Sequence, residues 1–318
     1  MQLNLQNEKP QMTVEEFVTK SPAELSLKVL AGDLGLSKRK IVSERIQKLG
    51  LALAGFPHYI HSGRIQIVGQ SETQYLSQLT NENKTEVLAN LDQSKICCIL
   101  ITKDLQPSNE LRNFAETNQI PILQTPLVSS AAINAVTNYL LESLAPTANI
   151  HGVLLGMYGI GVLILGDSGI GKSECALDLV TRGHRLISDD SVIIKKVGDR
   201  LMGESPDLTY EHLEIRGLGI LNIRELFGIS AVGKRKRIIL CIKLRKWEEF
   251  KEIDRLGCDF QGEDFFGVKI PEVVLPVSPG RNISTLVETA VKVHLLREEG
   301  YDAAQLLIEK HSAMVSGK

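Results

Sequence analysis

Gly166-Asp167-Ser168-Gly169-Ile170-Gly171-Lys172-Ser173 has the spacing of a phosphate-cradling P-loop: a glycine, four residues, then Gly-Lys-Ser. The octet could also be a glycine-rich surface turn, and its flanks weigh against that. Gly161-Val162-Leu163-Ile164-Leu165 precedes it as a short apolar run of the kind that forms a buried strand. Ser173-Glu174-Cys175-Ala176-Leu177-Asp178-Leu179-Val180 follows with helix formers, and Gly183 stands where a helix would stop. Strand, loop and helix in that order aim backbone N–H groups and a helix N-terminus at an anion. Gly166, Asp167, Ser168, Gly169, Ile170, Gly171, Lys172 and Ser173 are therefore the expected nucleotide-phosphate binders. Within them Lys172 can reach the β and γ phosphates, and the Ser173 hydroxyl can ligate Mg²⁺.

Around this centre the chain reads as two α/β domains, 1–145 and 146–318, joined near Ala145-Pro146-Thr147. In the first, Thr13-Val14-Glu15-Glu16 has the form of a helix start. Strands are expected over 25–30 and 120–123, with a turn at 32–35. Helices are expected over 74–91, 109–118 and 129–144. Ile96-Cys97-Cys98-Ile99-Leu100-Ile101 is unbroken and apolar, as in a strand covered on both faces. No phosphate loop, metal cluster or nucleophile pattern stands out there. In the second domain, strands are expected at 153–155, 161–165, 184–188, 191–196 and 237–243. Two helices follow, over 282–298 and 302–311, the first with Ile283, Leu286, Val287, Ala290, Val293 and Leu296 on one face.

A net charge of -2 gives no electrostatic case for nucleic acid. No apolar run is long enough to span a bilayer. Residues 1–11 are polar and lack the apolar centre of a signal peptide. The five cysteines form no CxxC pair; Cys97, Cys98 and Cys241 lie in apolar runs as small core residues. A reducing cytoplasm is the expected compartment.

Several residues outside the octet can carry chemistry. Asp189-Asp190 ends a partly apolar segment, where a carboxylate can serve a metal or a reacting hydroxyl, or simply make a turn. A paired carboxylate can also raise one partner's pKa and suit proton transfer. His151 is either a proton-transfer residue or a lone structural histidine. Leu213-Glu214-Ile215-Arg216-Gly217-Leu218-Gly219-Ile220-Leu221-Asn222 combines a carboxylate, a guanidinium and two glycines. It can present Glu214 to Mg²⁺, or it can be an ordinary glycine turn. Lys234-Arg235-Lys236-Arg237 reads as a solvated hairpin end, with docking of an acidic surface as the alternative. Pro276-Val277-Ser278-Pro279-Gly280-Arg281 is a stiff loop whose Arg281 can grip a phosphate or lie near a helix start.

Taken together, these segments resemble the HPr kinase/phosphorylase family, the bifunctional serine kinases of the bacterial phosphotransferase system. The resemblance is carried by His151-Gly152-Val153-Leu154, the octet with Glu174, and Arg182-Gly183-His184-Arg185-Leu186 with Asp189-Asp190. It continues through residues 213–222, Asp254-Arg255-Leu256-Gly257 and residues 276–282. It implies an N-terminal α/β module, regulatory or for assembly, and a C-terminal P-loop kinase domain. The resemblance further implies ATP and Mg²⁺ as cofactors, with HPr or an HPr-like carrier as protein substrate. In reverse, inorganic phosphate would attack phosphoserine and leave as pyrophosphate, and the family's members are homohexamers.

Position by position, the resemblance makes His151, Lys172, Asp190 and Arg255 the catalytic residues. Asp190 would accept the serine proton and return it in reverse, and Arg255 would stabilise the transferring phosphate. Ser173 and Glu214 would hold Mg²⁺, residues 213–222 would serve both directions, and residues 276–281 would serve dephosphorylation. The family commonly has an arginine where Ser278 stands, so this chain has lost a positive charge from phosphate handling. Two other activities fit the bare P-loop: a kinase for a small-molecule acceptor, and a nucleotide-dependent switch without transfer. The Asp190, Glu214 and Arg255 set favours transfer, and no Asn-Lys-x-Asp base reader is present.

Overall fold

The computed structural model describes residues 10–249 and 261–315. The described residues fall into two compact units, one ending at Pro146 and the other beginning at Thr147.

The first unit opens with helix α1 (Val14–Lys20). Its start is fixed by a reciprocal cap: the Glu16 N–H donates to Thr13 Oγ1 at 3.1 Å, and the Thr13 N–H to Glu16 Oε2 at 3.0 Å. Strands β1 (Lys28–Ala31), β2 (Gln47–Lys48), β3 (Arg64–Val68), β4 (Ile96–Ile101) and β5 (Ile122–Gln124) form one sheet in the order β1-β5-β4-β3-β2. All its pairings are parallel except β1 with β5. The side chains of β4 are shared between two cores. Ile96, Ile99 and Ile101 join one cluster; Cys97, Cys98 and Leu100 join the other. Burial on both faces is why this strand is apolar at every position.

Three expectations shift in this unit. The helix expected over 74–91 is two helices, α2 (Gln70–Gln78) and α3 (Asn81–Ala89). Leu79 turns extended, and the Thr80 hydroxyl accepts the Asn83 N–H at 3.3 Å to start a new helix. The first strand runs over Lys28–Ala31 rather than 25–30, because Ala23–Leu25 make a 3₁₀ turn. Strand β3 was not foreseen; the buried Gln66 at its centre interrupts its apolar run. Helices α4 (Asn109–Thr117) and α5 (Ser129–Ser143) stand where expected.

The second unit is built on a nine-stranded sheet. Its elements are β6 (Thr147–His151), β7 (Val153–Met157), β8 (Ile160–Leu165), α6 (Lys172–Thr181), β9 (Arg185–Ser188), β10 (Ser191–Val197), β11 (Arg200–Glu204), hairpin β12 (His212–Ile215) and β13 (Gly219–Asn222), β14 (Arg235–Lys246), β15 (Gln261–Phe265), β16 (Val268–Val277), α7 (Ile283–Glu298) and α8 (Ala303–Val315). The main path is β9-β7-β8-β14-β11-β10-β6, and β16 joins β14 while pairing with β15. The hairpin β12–β13 is a separate two-stranded sheet.

Strand β14 organises this unit. Its first residues pair antiparallel with β11, and the rest runs parallel to both β8 and β16. The carboxyl ends of β8, β14 and β16 therefore share one sheet edge, where open α/β sheets bind ligands. Gly161 permits the β8–β14 approach, since a Cβ there would lie 2.3 Å from the Arg237 carbonyl oxygen. Two readings change. Thr147, the last residue of the expected linker, is the first residue of β6. Helix α7 buries Ser284, Val287, Val291 and His294 rather than the full expected face; Val293 and Leu296 are 41% and 45% exposed. The stripe that meets the sheet is set by how the helix lies on it, and this one includes two polar residues.

Candidate active site

The octet forms the loop between β8 and α6. Gly166, Gly169 and Gly171 have φ of 153°, 79° and 100°, in the region that glycine enters without steric cost. Lys172 opens α6 and is almost fully buried. Its Nζ donates to the carbonyl oxygens of Gly166 at 2.8 Å and Asp167 at 3.0 Å, and meets His151 Nε2 at 3.1 Å. An ammonium group has no acceptor, so Nε2 accepts, which assigns the imidazole proton to Nδ1. Burial pulls the Lys172 pKa down, while Asp190, Asp189, Asp167 and Glu174 pull it back up.

His151 Nδ1 faces Asp190, 2.9 Å from Oδ1 and 3.0 Å from its carbonyl oxygen. These residues lie 39 apart in sequence. Pairing of β6 with β10 aligns His151 with Ser191, next to Asp190. The Gly152 N–H then donates to the Asp190 carbonyl at 3.1 Å. Asp190 sits at φ 64°, a costly conformation for a non-glycine residue, with its side chain 71% exposed. Its carboxylate is thus fixed at the backbone and open to an incoming group.

Asp189 points the other way, into the protein. Ser173 Oγ donates to it at 2.9 and 3.2 Å, and the Glu214 N–H donates to it at 3.1 Å. Burial raises the Asp189 pKa, and these hydrogen bonds partly offset that rise. One carboxylate therefore ties the P-loop helix to hairpin β12–β13. Sequence reading singled out the Asp189-Asp190 pair but gave the chemistry to Asp190. The available signal for Asp189 was its place one residue after the short strand-like run Leu186-Ile187-Ser188 began to turn polar, ahead of Asp190.

Together these elements wall a cavity of about 140 Å³. His151, Lys172, Ser173, Asp190 and Glu214 line it, with Ser168, Gly169, Gly171, Glu174, Asp189 and Arg216. Within residues 213–222, Leu213 and Ile215 are buried in the core, while Glu214 and Arg216 face the cavity. The Arg216 guanidinium covers Gly169 so closely that a Cβ on that glycine would lie 3.0 Å from Nη1. Leu218 and Ile220 are exposed. The cavity wall includes none of residues 276–281. Pro276 and Val277 end β16, and Arg281 lies beside Trp247. Arg255, with Asp254, Leu256 and Gly257, lies outside the described residues.

Two family profiles match nearly the whole chain: "HPr Serine kinase N terminus" over residues 12–140 and "HPr Serine kinase C-terminal domain" over residues 142–311. The chain belongs to the HPr serine kinase family. A relative from Geobacter sulfurreducens named HPr kinase/phosphorylase is 43% identical over 300 residues, covering 94% of each chain. Another of that name, from Caldicellulosiruptor bescii, is 40% identical and covers 92% of this chain and 94% of its own. The solved structure of the Hpr(Ser) kinase/phosphatase from Coxiella burnetii is 36% identical, with a TM-score of 0.47, covering 50% of this chain and 97% of that one. In this family member the His151–Asp190 pair and the P-loop share one cavity, while Asp189 holds the loop to residue 214.

Proposed function

We propose that this chain phosphorylates a serine of HPr, or of an HPr-like phosphocarrier protein, with ATP. We propose also that it reverses the modification with inorganic phosphate, releasing pyrophosphate. The observation that carries this reading is the shared cavity, with the phosphate loop and an exposed, histidine-paired carboxylate on the same walls. A passive nucleotide switch has no use for a proton acceptor opposite the phosphates.

In the forward direction, loop amides and the α6 N-terminus would hold the phosphate tail. Lys172 would exchange the Gly166 and Asp167 carbonyls for phosphate oxygens. Asp190 would take the serine hydroxyl proton as its oxygen bonds to the γ-phosphorus and the bond to the ADP oxygen breaks. In reverse, a phosphate oxygen bonds to the phosphoserine phosphorus, the bond to the serine oxygen breaks, and Asp190 returns the proton. His151 would orient Asp190 in both directions. Such reactions depend on positioning and charge stabilisation rather than covalent help. Arg255 would add positive charge.

The oxygen donors suit Mg²⁺: Ser173 and Glu214 would hold it, with Asp189 orienting Ser173. Among the described residues no three His, Cys, Asp or Glu side chains gather as a metal cage, consistent with an ion that keeps several waters. When bound, Mg²⁺ would offset charge on the β and γ phosphates. The reading extends to a cytoplasmic homohexamer in which residues 1–145 regulate or assemble residues 146–318. Among the described residues no helix is long and apolar enough to cross a membrane.

The test is incubation with ATP, Mg²⁺ and HPr. Phosphoserine on HPr is expected; strong transfer to a metabolite but none to HPr would sink the reading. Asp190→Asn should keep nucleotide binding and lose roughly 10²–10⁴-fold in transfer.

A further inference from the structure

Arg281 is the only charged residue in residues 276–281, and its guanidinium carbon sits 5.4 Å from the centroid of the Trp247 ring. No carboxylate among the described residues pairs with it. A cation over an aromatic face uses none of its N–H groups. Among the described residues, Arg281 is therefore held in place with no carboxylate cancelling its charge and no acceptor taking its side-chain N–H groups. Trp247 is the chain's only tryptophan, and its 45% exposure is large for so apolar a side chain.

Topology places this pair on the phosphate edge of the sheet. Trp247 directly follows Lys246, which pairs with Val277 at the end of β16, and Leu165 before the P-loop pairs with Lys243. Both residues thus leave parallel strands at the edge from which the P-loop springs. On the far side of Arg281, Ile283 reaches the loop itself, its Cδ1 being 3.4 Å from where a Cβ on Gly171 would stand. The turn between is closed by the Arg281 N–H donating to the Ser278 carbonyl at 3.2 Å.

We propose that Trp247 is a positioning residue for the phosphate-consuming direction, holding Arg281 on the rim of the site as a ready-made anion contact. The proposal rests on the phosphorolytic activity proposed above. Free inorganic phosphate arrives without the adenosine that helps anchor ATP, so it depends more on pre-placed cations. Stacking lowers the rotamer entropy Arg281 loses when it grips such an anion. Ser278 supplies no second charge in this turn, which leaves Arg281 to act alone there.

The experiment uses the full chain, with seryl-phosphorylated HPr as substrate and inorganic phosphate varied. Trp247→Leu should raise KM for phosphate roughly two- to fivefold, the range for one surface cation–aromatic contact. Trp247→Phe should restore most of that, and KM for ATP in the kinase direction should stay within about 1.5-fold, since ATP is held by the loop. In an Arg281→Met background, Trp247→Leu should add nothing. Equal losses in both directions, no rescue by phenylalanine, or full additivity with Arg281→Met would overturn the proposal.

A second readout needs no turnover. Titrating inorganic phosphate should change the emission of Trp247 saturably in the wild type and not in Arg281→Met. No change in the wild type overturns the proposal even if phosphorolysis is active. A saturable change without any pyrophosphate formation would remove the reverse activity and still support the pair as a phosphate-holding element.

Discussion

Adjacent carboxylates with opposite surroundings meet at this site. Asp190 is exposed and histidine-paired, whereas Asp189 is buried and spends its oxygens on Ser173 and the Glu214 amide. Their divergence follows from the left-handed backbone at Asp190, which turns two neighbouring side chains apart. Because burial raises the Asp189 pKa, its ionised form costs stability, and that cost is felt as pH rises through the raised value. Asp189→Asn should therefore leave thermal stability at neutral pH unchanged or higher. It should also lower Mg²⁺-dependent transfer roughly 10–100-fold by loosening Ser173. A large fall in melting temperature would show that Asp189 is chiefly a structural tie. Sequence alone exposed the octet and the acidic pair, because loop glycines and a lysine at fixed spacing have few other uses. It could not rank the two aspartates, since burial depends on what packs beside them.

At the level of elements, helix α7 is tied to the end of α6 through Glu288. Arg182 Nη1 lies 3.2 Å from that carboxylate and Lys292 Nζ 3.3 Å, the Tyr158 hydroxyl donates to it, and His184 Nε2 stands 3.6 Å away. The Tyr158 hydrogen bond is the main reason the Glu288 pKa falls, to about 2, with Lys292 and Arg182 adding to it. A depressed carboxylate pKa stabilises the fold above its ordinary value of 4.5, and that stabilisation is lost as pH falls toward about 2. His184, depressed by burial, acts with the same sign below 6.5. Glu288→Gln should melt roughly 2–4 °C lower at neutral pH. Thermal scans should show the gap to wild type closing between pH 4.5 and 2; a gap constant with pH would exclude the ion-pair origin. Helix α1, strand β4 and helix α5 were legible in the sequence because caps and periodicity are local signals. The Thr80 break is a local cap hidden inside a longer helix-like pattern, whereas strand β3 and the buried stripe of α7 depend on contacts from elsewhere in the chain.

For the whole molecule, two compact units with separate cores should unfold as separable events. Calorimetry is expected to resolve two transitions. Mg²⁺-ATP at about 100 times its dissociation constant should stabilise only the transition of the unit beginning at Thr147, by about 2.7 kcal/mol. A shift of both transitions by equal amounts would contradict a nucleotide site confined to that unit. By itself the sequence determined that a phosphate loop joins a buried strand to a helix and that two α/β units follow one another, because glycine spacing and apolar runs act over a few residues. Only the tertiary structure decided that His151, Asp190 and Lys172 form one chain of contacts, that Asp189 faces inward, and that Arg281 rests on Trp247. Those juxtapositions come from strand pairing between segments tens of residues apart, which no local pattern encodes.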